Sequence, residues 1–165
     1  MVYGYKAFNL DRTNRYGMTF EDGKTYSISG DISFGNDGNG FHMCTNLEDV
    51  FRYFDGMSDD ISVARVVGFG NVICYNDEYN GYYDMYSVQN IKIESFLTRE
   101  EIINTFLDNV PFRVCRFVSL FRLSDDEIKC FRKEYSNETE VMDYLSYYQE
   151  GKRDTFYKRY VKERK

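Results

Sequence analysis

The sequence predicts an α+β fold: a small mixed or antiparallel sheet with one short helix, followed by a packed C-terminal helical segment. Three observations predict it. Residues 1–97 are dominated by period-two alternation broken by turn signals. From Thr98 the apolar period becomes helical, and capping pairs recur: Thr98 with Glu101, Ser124 with Glu127, Asn137 with Glu140. The 165 residues include 16 Tyr and 14 Phe but one Pro, which supplies ring area for a core and argues against a Pro-rich linker. The expected organisation is residues 1–97 as the sheet region and 98–165 as a helical extension packed on it. The two form one structural unit, because the helices alone bury little surface.

The strands follow in order. Residues 2–8 alternate, with Tyr3, Tyr5 and Ala7 on one face and Gly4, Lys6 and Phe8 on the other. Residues 13–20 are less regular. Asp22-Gly23 marks a turn before a strand at 24–28, and Ser29-Gly30-Asp31 marks another before Ile32–Phe34. Gly35-Asn36-Asp37-Gly38-Asn39-Gly40 has no side chain suited to a core and reads as a flexible loop. A short strand at 40–44 follows. Thr45 and Glu48 form a capping-box pattern, predicting a helix of about two turns with Leu47, Val50, Phe51 and Phe54 inward. Asp55-Gly56 ends it. Residues 62–67 are rich in β-branched side chains, Gly68 and Gly70 suggest a bulge or twist, and 71–75 continue the strand. Residues 76–81 form a polar loop. Residues 82–96 are extended, but Val88 is out of phase with Ile91 and Ile93, which predicts a bulge or kink near Gln89.

The helical half contains Ile102, Ile103, Phe106 and Leu107 in a first helix. Pro111 opens a second with Val114, Cys115, Val118 and Phe121. Ser124 opens a third with Ile128, Phe131 and Tyr135. Asn137 opens a fourth with Val141, Tyr144, Leu145 and Tyr148, closed by Gly151. A last helix is expected over 153–165.

Charge and cysteine placement restrict function. The net charge is −6, but residues 1–98 hold seven Lys/Arg against fourteen Asp/Glu, while residues 151–165 hold seven against two. The first part repels phosphate backbones; the basic end could contact nucleic acid or simply be solvated. No apolar run reaches the roughly 20 residues of a membrane span, and residues 1–9 lack the pattern of a secretory signal. Cys44, Cys74, Cys115 and Cys130 are scattered with one histidine, His42. No closed zinc site is expected, and reduced thiols in the cytoplasm are the simpler reading.

The stretch Gly40-Phe41-His42-Met43-Cys44-Thr45, running into the helix that contains Tyr53, is similar to the Gly-Phe-Tyr-x-Thr segment of ADP-ribosyltransferase-like proteins of the diphtheria toxin class. The resemblance implies an ADP-ribosyltransferase-like sheet and a nicotinamide cleft for NAD. Tyr5, Phe41 and Tyr53 would be ligand-binding residues. Lys6, His42, Thr45, and Gln89 or Glu94 would be catalytic positions. Lys6-Ala7 stands where the family has a His-Gly or Arg-Gly pair, and His42 where it has the stacking tyrosine. These substitutions favour a repurposed scaffold over an enzyme.

Residues 3–97 also resemble an uncharacterised small domain of phage and bacterial proteins. The pattern is carried by Lys6-Ala7-Phe8-Asn9, Gly23-Lys24-Thr25-Tyr26, Gly40-Phe41-His42-Met43-Cys44, Asp49 with Tyr53, and the Val/Gly-rich strand at 64–72. It implies a mobile-element origin, and with it a host-protein partner and interference with host defence. A lone histidine at a strand end is either a hydrogen-bonded structural residue or a proton-transfer group. Tyr75, Tyr79, Tyr82, Tyr83 and Tyr86 surround a polar loop, a composition suited to an interaction surface or to a hairpin covering its own core. The expected function is binding of a host protein or a nucleotide-like ligand. The alternatives are NAD-dependent ADP-ribosyl transfer and nucleic-acid contact through the basic end.

Overall fold

The computed structural model describes residues 1–35, 38–53, 60–77 and 82–150. Several expectations lie outside them: Phe54 as an inward residue, the stop at Asp55-Gly56, Tyr79, the stop at Gly151 and the helix over 153–165. The chain divides into two compact units, Met1–Thr98 and Arg99–Lys165.

The first unit has five strands: β1 (Val2–Asn9), β2 (Thr25–Ser27), β3 (Phe41–Cys44), β4 (Ile61–Asp77) and β5 (Tyr82–Phe96). Every pairing is antiparallel. The pairings run in a closed circuit. β1 pairs β4 from Val2↔Gly68 to Asn9↔Ile61, β4 pairs β5, β5 pairs β3 from Phe41↔Val88 to Cys44↔Met85, and β3 returns to β1 at Tyr5↔Cys44. β2 lies on β5 beside the end of β3, with Tyr26↔Ile91. The result is a small barrel whose closing seam is one residue pair long, so most of its edges are paired.

The core collects the inward positions of this circuit: Phe8, Phe41, Met43, Ala64, Val66, Val88, Ile91 and Ile93, together with Phe20 from the irregular segment after β1. Phe20 is fully buried, with ring centroids 4.8 Å from Phe8 and 4.7 Å from Tyr26. Burying such rings contributes about 1.5–3 kcal/mol each. The predicted phase break is a register shift between Phe69 and Val72, opposite Gln89. Gly70 and Asn71 stand opposite Gln89, and Gly70 has φ +82°, a conformation that glycine adopts at little cost and β-branched residues do not. At the seam, a Cβ on Gly4 would stand 2.2 Å from the Cys44 carbonyl oxygen, so the close approach of β1 to β3 requires glycine there.

Two local expectations are corrected. Residues Leu47–Tyr53 form a 3-10 helix, not an α-helix opened by a capping box. The Thr45 hydroxyl instead donates to the Asp84 carbonyl at 3.4 Å, because the backbone at Thr45 is still bonded to Asp84 at the end of the β3–β5 pairing. The inward residues Leu47, Val50 and Phe51 are nevertheless buried. Before β3, the Asn39 side-chain amide donates to the Ser29 and Asp31 carbonyls at 3.2 and 2.9 Å. The fourth helix begins at Thr139 after Glu138, with no side-chain cap; Asn137 lies one residue before that position.

The second unit holds α1 (Arg99–Leu107), α2 (Pro111–Leu120), α3 (Asp125–Glu134) and α4 (Thr139–Tyr148). Ser124 and Glu127 form the predicted capping box. Glu127 also takes a two-point bond from Arg99, at 3.0 and 2.8 Å. Pro111 stands in the first turn of α2, where a missing N–H costs nothing. Stacked rings fill the centre: Phe106 and Phe117 are 4.0 Å apart and 9° from parallel. Gln149 closes the end of α2, donating to the Val118 and Phe121 carbonyls and accepting from the Leu123 N–H, all at 2.6–2.9 Å. No helix among the described residues is long and apolar enough to cross a membrane.

Candidate functional site

The site builds outward from β3. Phe41 and Met43 point into the core, so His42 is on the opposite face, across from Ser87 of β5. Ser87 is fully buried, and its hydroxyl is shared between the Ser33 carbonyl at 3.1 Å and the Asn39 carbonyl at 3.5 Å. That anchor holds Ser33 and Asn39 on β5, and Phe34 and Gly35 lie beside His42. The His42 ring accepts a hydrogen bond at Nε2 from the Gly35 N–H, at 3.3 Å. Phe34 meets the imidazole edge-on at 4.9 Å, and its other contact is a stack on Tyr75, with centroids 4.7 Å apart and 10° between planes. Tyr75 is 37% exposed.

Lys6 approaches from β1. It shares the face of Gly4 and Phe8, its ammonium lies 5.6 Å over the Phe8 ring, and it donates to the His42 backbone carbonyl at 2.7 Å. β1 and β3 share only one ladder pair, so this bond supplies a link where the strands have separated. Burial lowers the Lys6 pKa to about 8, partly offset by the nearby Cys44 thiol. The same environment keeps His42 neutral. Burial, then the Lys6 and Arg15 cations, lower its pKa to about 4 against a hydrogen bond to the Gly40 backbone.

The other sequence-predicted residues are dispersed. Thr45 is joined to Asp84. Gln89 accepts from the Asn71 N–H at 3.2 Å and so holds the bulge in β4. Glu94 is exposed, further along β5. Phe41 is buried in the core and has no surface for a ligand. Tyr5 is half-buried opposite Cys44. Of the tyrosine cluster, Tyr75 belongs to the ring stack. Tyr86 packs on the core and hydrogen-bonds Cys74, which raises its pKa. Tyr82 and Tyr83 begin β5, and Tyr53 ends the 3-10 helix. Lys6 and His42 therefore meet, while Gln89 and Glu94 are occupied or placed elsewhere on β5. Phe34 was missed by the sequence reading; its only signal was an aromatic side chain next to a glycine loop.

Cys115 is buried, with its pKa pushed up to about 12, which makes it a poor nucleophile. Among the described residues, no group of three or more His, Cys, Asp or Glu is placed to hold a metal ion. The model of one protein family, Domain of unknown function (DUF7666), matches residues 2–104. No curated protein and no solved structure matches the chain.

Proposed function

We propose, for a chain that belongs to the family Domain of unknown function (DUF7666), a binding role centred on the Phe34–Tyr75 stack and the neutral His42 beside it. The observation that carries the reading is the stack itself. Two rings held nearly parallel, one more than a third exposed, offer rigid apolar area at little entropic cost. A neutral imidazole adds polar contact without a charge to desolvate. The ligand class proposed is a protein segment with an apolar or aromatic side chain. The resemblance of residues 3–97 to a phage and bacterial domain extends the proposal. On it, the chain is of mobile-element origin, the partner is a host protein in the cytoplasm, and the effect is inhibition of host defence.

A second reading, NAD-dependent transfer on an ADP-ribosyltransferase-like scaffold, is supported by the contact between Lys6 and His42. It is weakened by the engagement of Lys6 with a backbone carbonyl and by the separation of Glu94 from that contact. Contact with nucleic acid through residues 151–165 is a third, supported by their charge alone.

The test is quantitative capture from host lysate with wild type, Tyr75→Ala and Phe34→Ala at matched folding. Wild type is expected to enrich one stoichiometric partner, and each variant to lose most of it. Equal enrichment by all three removes this surface from the reading. Incubation with labelled NAD runs in parallel. Label transfer that His42→Ala abolishes would replace the binding role with the enzymatic one.

A further inference from the structure

His42 is held as a hydrogen-bond acceptor: its Nε2 takes the Gly35 N–H at 3.3 Å. A neutral imidazole has one donor and one acceptor nitrogen, so the single ring proton is on Nδ1. A second proton can add only at Nε2. There it turns the acceptor into a donor and sets two N–H groups against each other. The part of the chain that must then give way is short. The Ser33 N–H donates to the Asn39 carbonyl at 2.7 Å, and the Asn39 N–H donates to the Ser33 hydroxyl at 3.0 Å. The Ser87 hydroxyl holds both residues on β5. Beside this clamp, Gly35 has φ +119°, a conformation that glycine enters and leaves at little cost. Phe34, its neighbour, meets the imidazole edge-on and stacks on Tyr75.

We propose that His42 is an acid-sensitive switch: a proton arriving at Nε2 displaces the Gly35 N–H and releases Phe34 from the imidazole and from the Tyr75 ring. The aromatic surface is then assembled at neutral pH and dismantled in acid. The switch is a property of the chain alone; its effect on a partner rests on the binding role proposed above. The groups around His42 set where it acts. Charge reaches the imidazole from Lys6 of β1 and Arg15 of the segment after β1, and both cations oppose a second positive charge. β5 contributes the uncharged Ser87 as its ladder partner, and β4 contributes the Tyr75 phenol, which meets Phe34. On its own strand the Cys44 thiol is two residues away. Burial acts in the same direction as the two cations, so the ring stays neutral until the pH falls to about 4. Above that pH the Gly35 bond is intact, and below it the bond is lost.

The experiment is an NMR titration of the full chain from about pH 7 to about pH 3. It follows the His42 ring nitrogens, the Gly35 amide and the Phe34 ring, with the amide of Ile91 in the core as the reporter of an intact barrel. At neutral pH the ring is expected to be the Nδ1–H tautomer. On acidification the Gly35 and Phe34 signals should shift with the same midpoint as the imidazole, while Ile91 keeps its position. His42→Gln offers an acceptor that does not titrate, and should hold Gly35 and Phe34 in place over the same range. The wild-type comparison decides the matter even if that variant folds poorly. An Nε2–H tautomer at neutral pH overturns the proposal. So does a Gly35 amide that keeps its shift while His42 titrates, or one that moves only when Ile91 moves. The same transition in His42→Gln overturns it as well. The titration uses no partner, so its failure is distinct from a failure of the capture experiment above.

Discussion

His42→Gln isolates the coupling between the candidate site and stability. Glutamine keeps a hydrogen-bond acceptor for the Gly35 N–H but does not titrate. The wild-type histidine has a folded pKa near 4 against an ordinary value of 6.5. As pH falls below the ordinary value, the unfolded chain takes up a proton that the folded chain refuses. Stability is therefore intact above that window and declines as pH drops through it. At about pH 5 these two values imply a gross loss of about 2 kcal/mol relative to neutrality. The ring is only part-buried, so solvent screening reduces the expected loss to about 1 kcal/mol. The assay is urea unfolding of wild type and His42→Gln at about pH 7.5 and about pH 5. Carboxylates titrate in both proteins, so the difference between their losses reports the histidine. Wild type should lose about 1 kcal/mol more than the variant. Parallel losses, or a larger loss in the variant, would refute the placement of His42 in a desolvated, cation-flanked position.

Lys6→Met removes an ammonium from the barrel interior. With the folded pKa lowered to about 8 from 10.5, the unfolded chain holds the proton longer, so wild-type stability should rise as pH rises through that interval. Urea melts of the variant should lack that rise and match or exceed wild type by up to about 1 kcal/mol at neutral pH; a steep loss would show that the bond to His42 outweighs desolvation. Gln149→Leu leaves the Val118 and Phe121 carbonyls and the Leu123 N–H without their partner, so the second unit should lose about 2–3 kcal/mol by denaturant titration. Retention of wild-type stability would mean that water replaces all three bonds.

Much of the local structure was legible because its causes are local. Ser124 and Glu127 are three residues apart and bond each other's backbone, and Pro111 fits a first turn wherever it stands. The irregularity at Gln89 was visible because Val88 and Ile91 both face the core and cannot do so in one unbroken period. The barrel closure was not legible. It depends on Tyr5 meeting Cys44 and on β1 meeting β4 across some sixty residues, which no local period encodes. The same limit applies at the site. Lys6 and His42 were candidates, but the bond between them is tertiary, and Phe34 becomes relevant only once Ser87 and Asn39 fix its loop. Asn137 satisfied the capping pattern, yet α4 starts at Thr139; a cap motif shifted by one or two residues is beyond what propensity resolves.

The long pairing of β1 also has a consequence in time. Val2 finds its ladder partner only at Gly68, and Asn9 only at Ile61. During synthesis the first strand must stay unpaired until the ribosome has released most of the sheet. Its exposed aromatic side chains, Tyr3 and Tyr5, are then available to chaperones or to neighbouring chains. Closing so wide a loop precedes any reward from the contacts it makes, which places the slow step of folding at the arrival of β4.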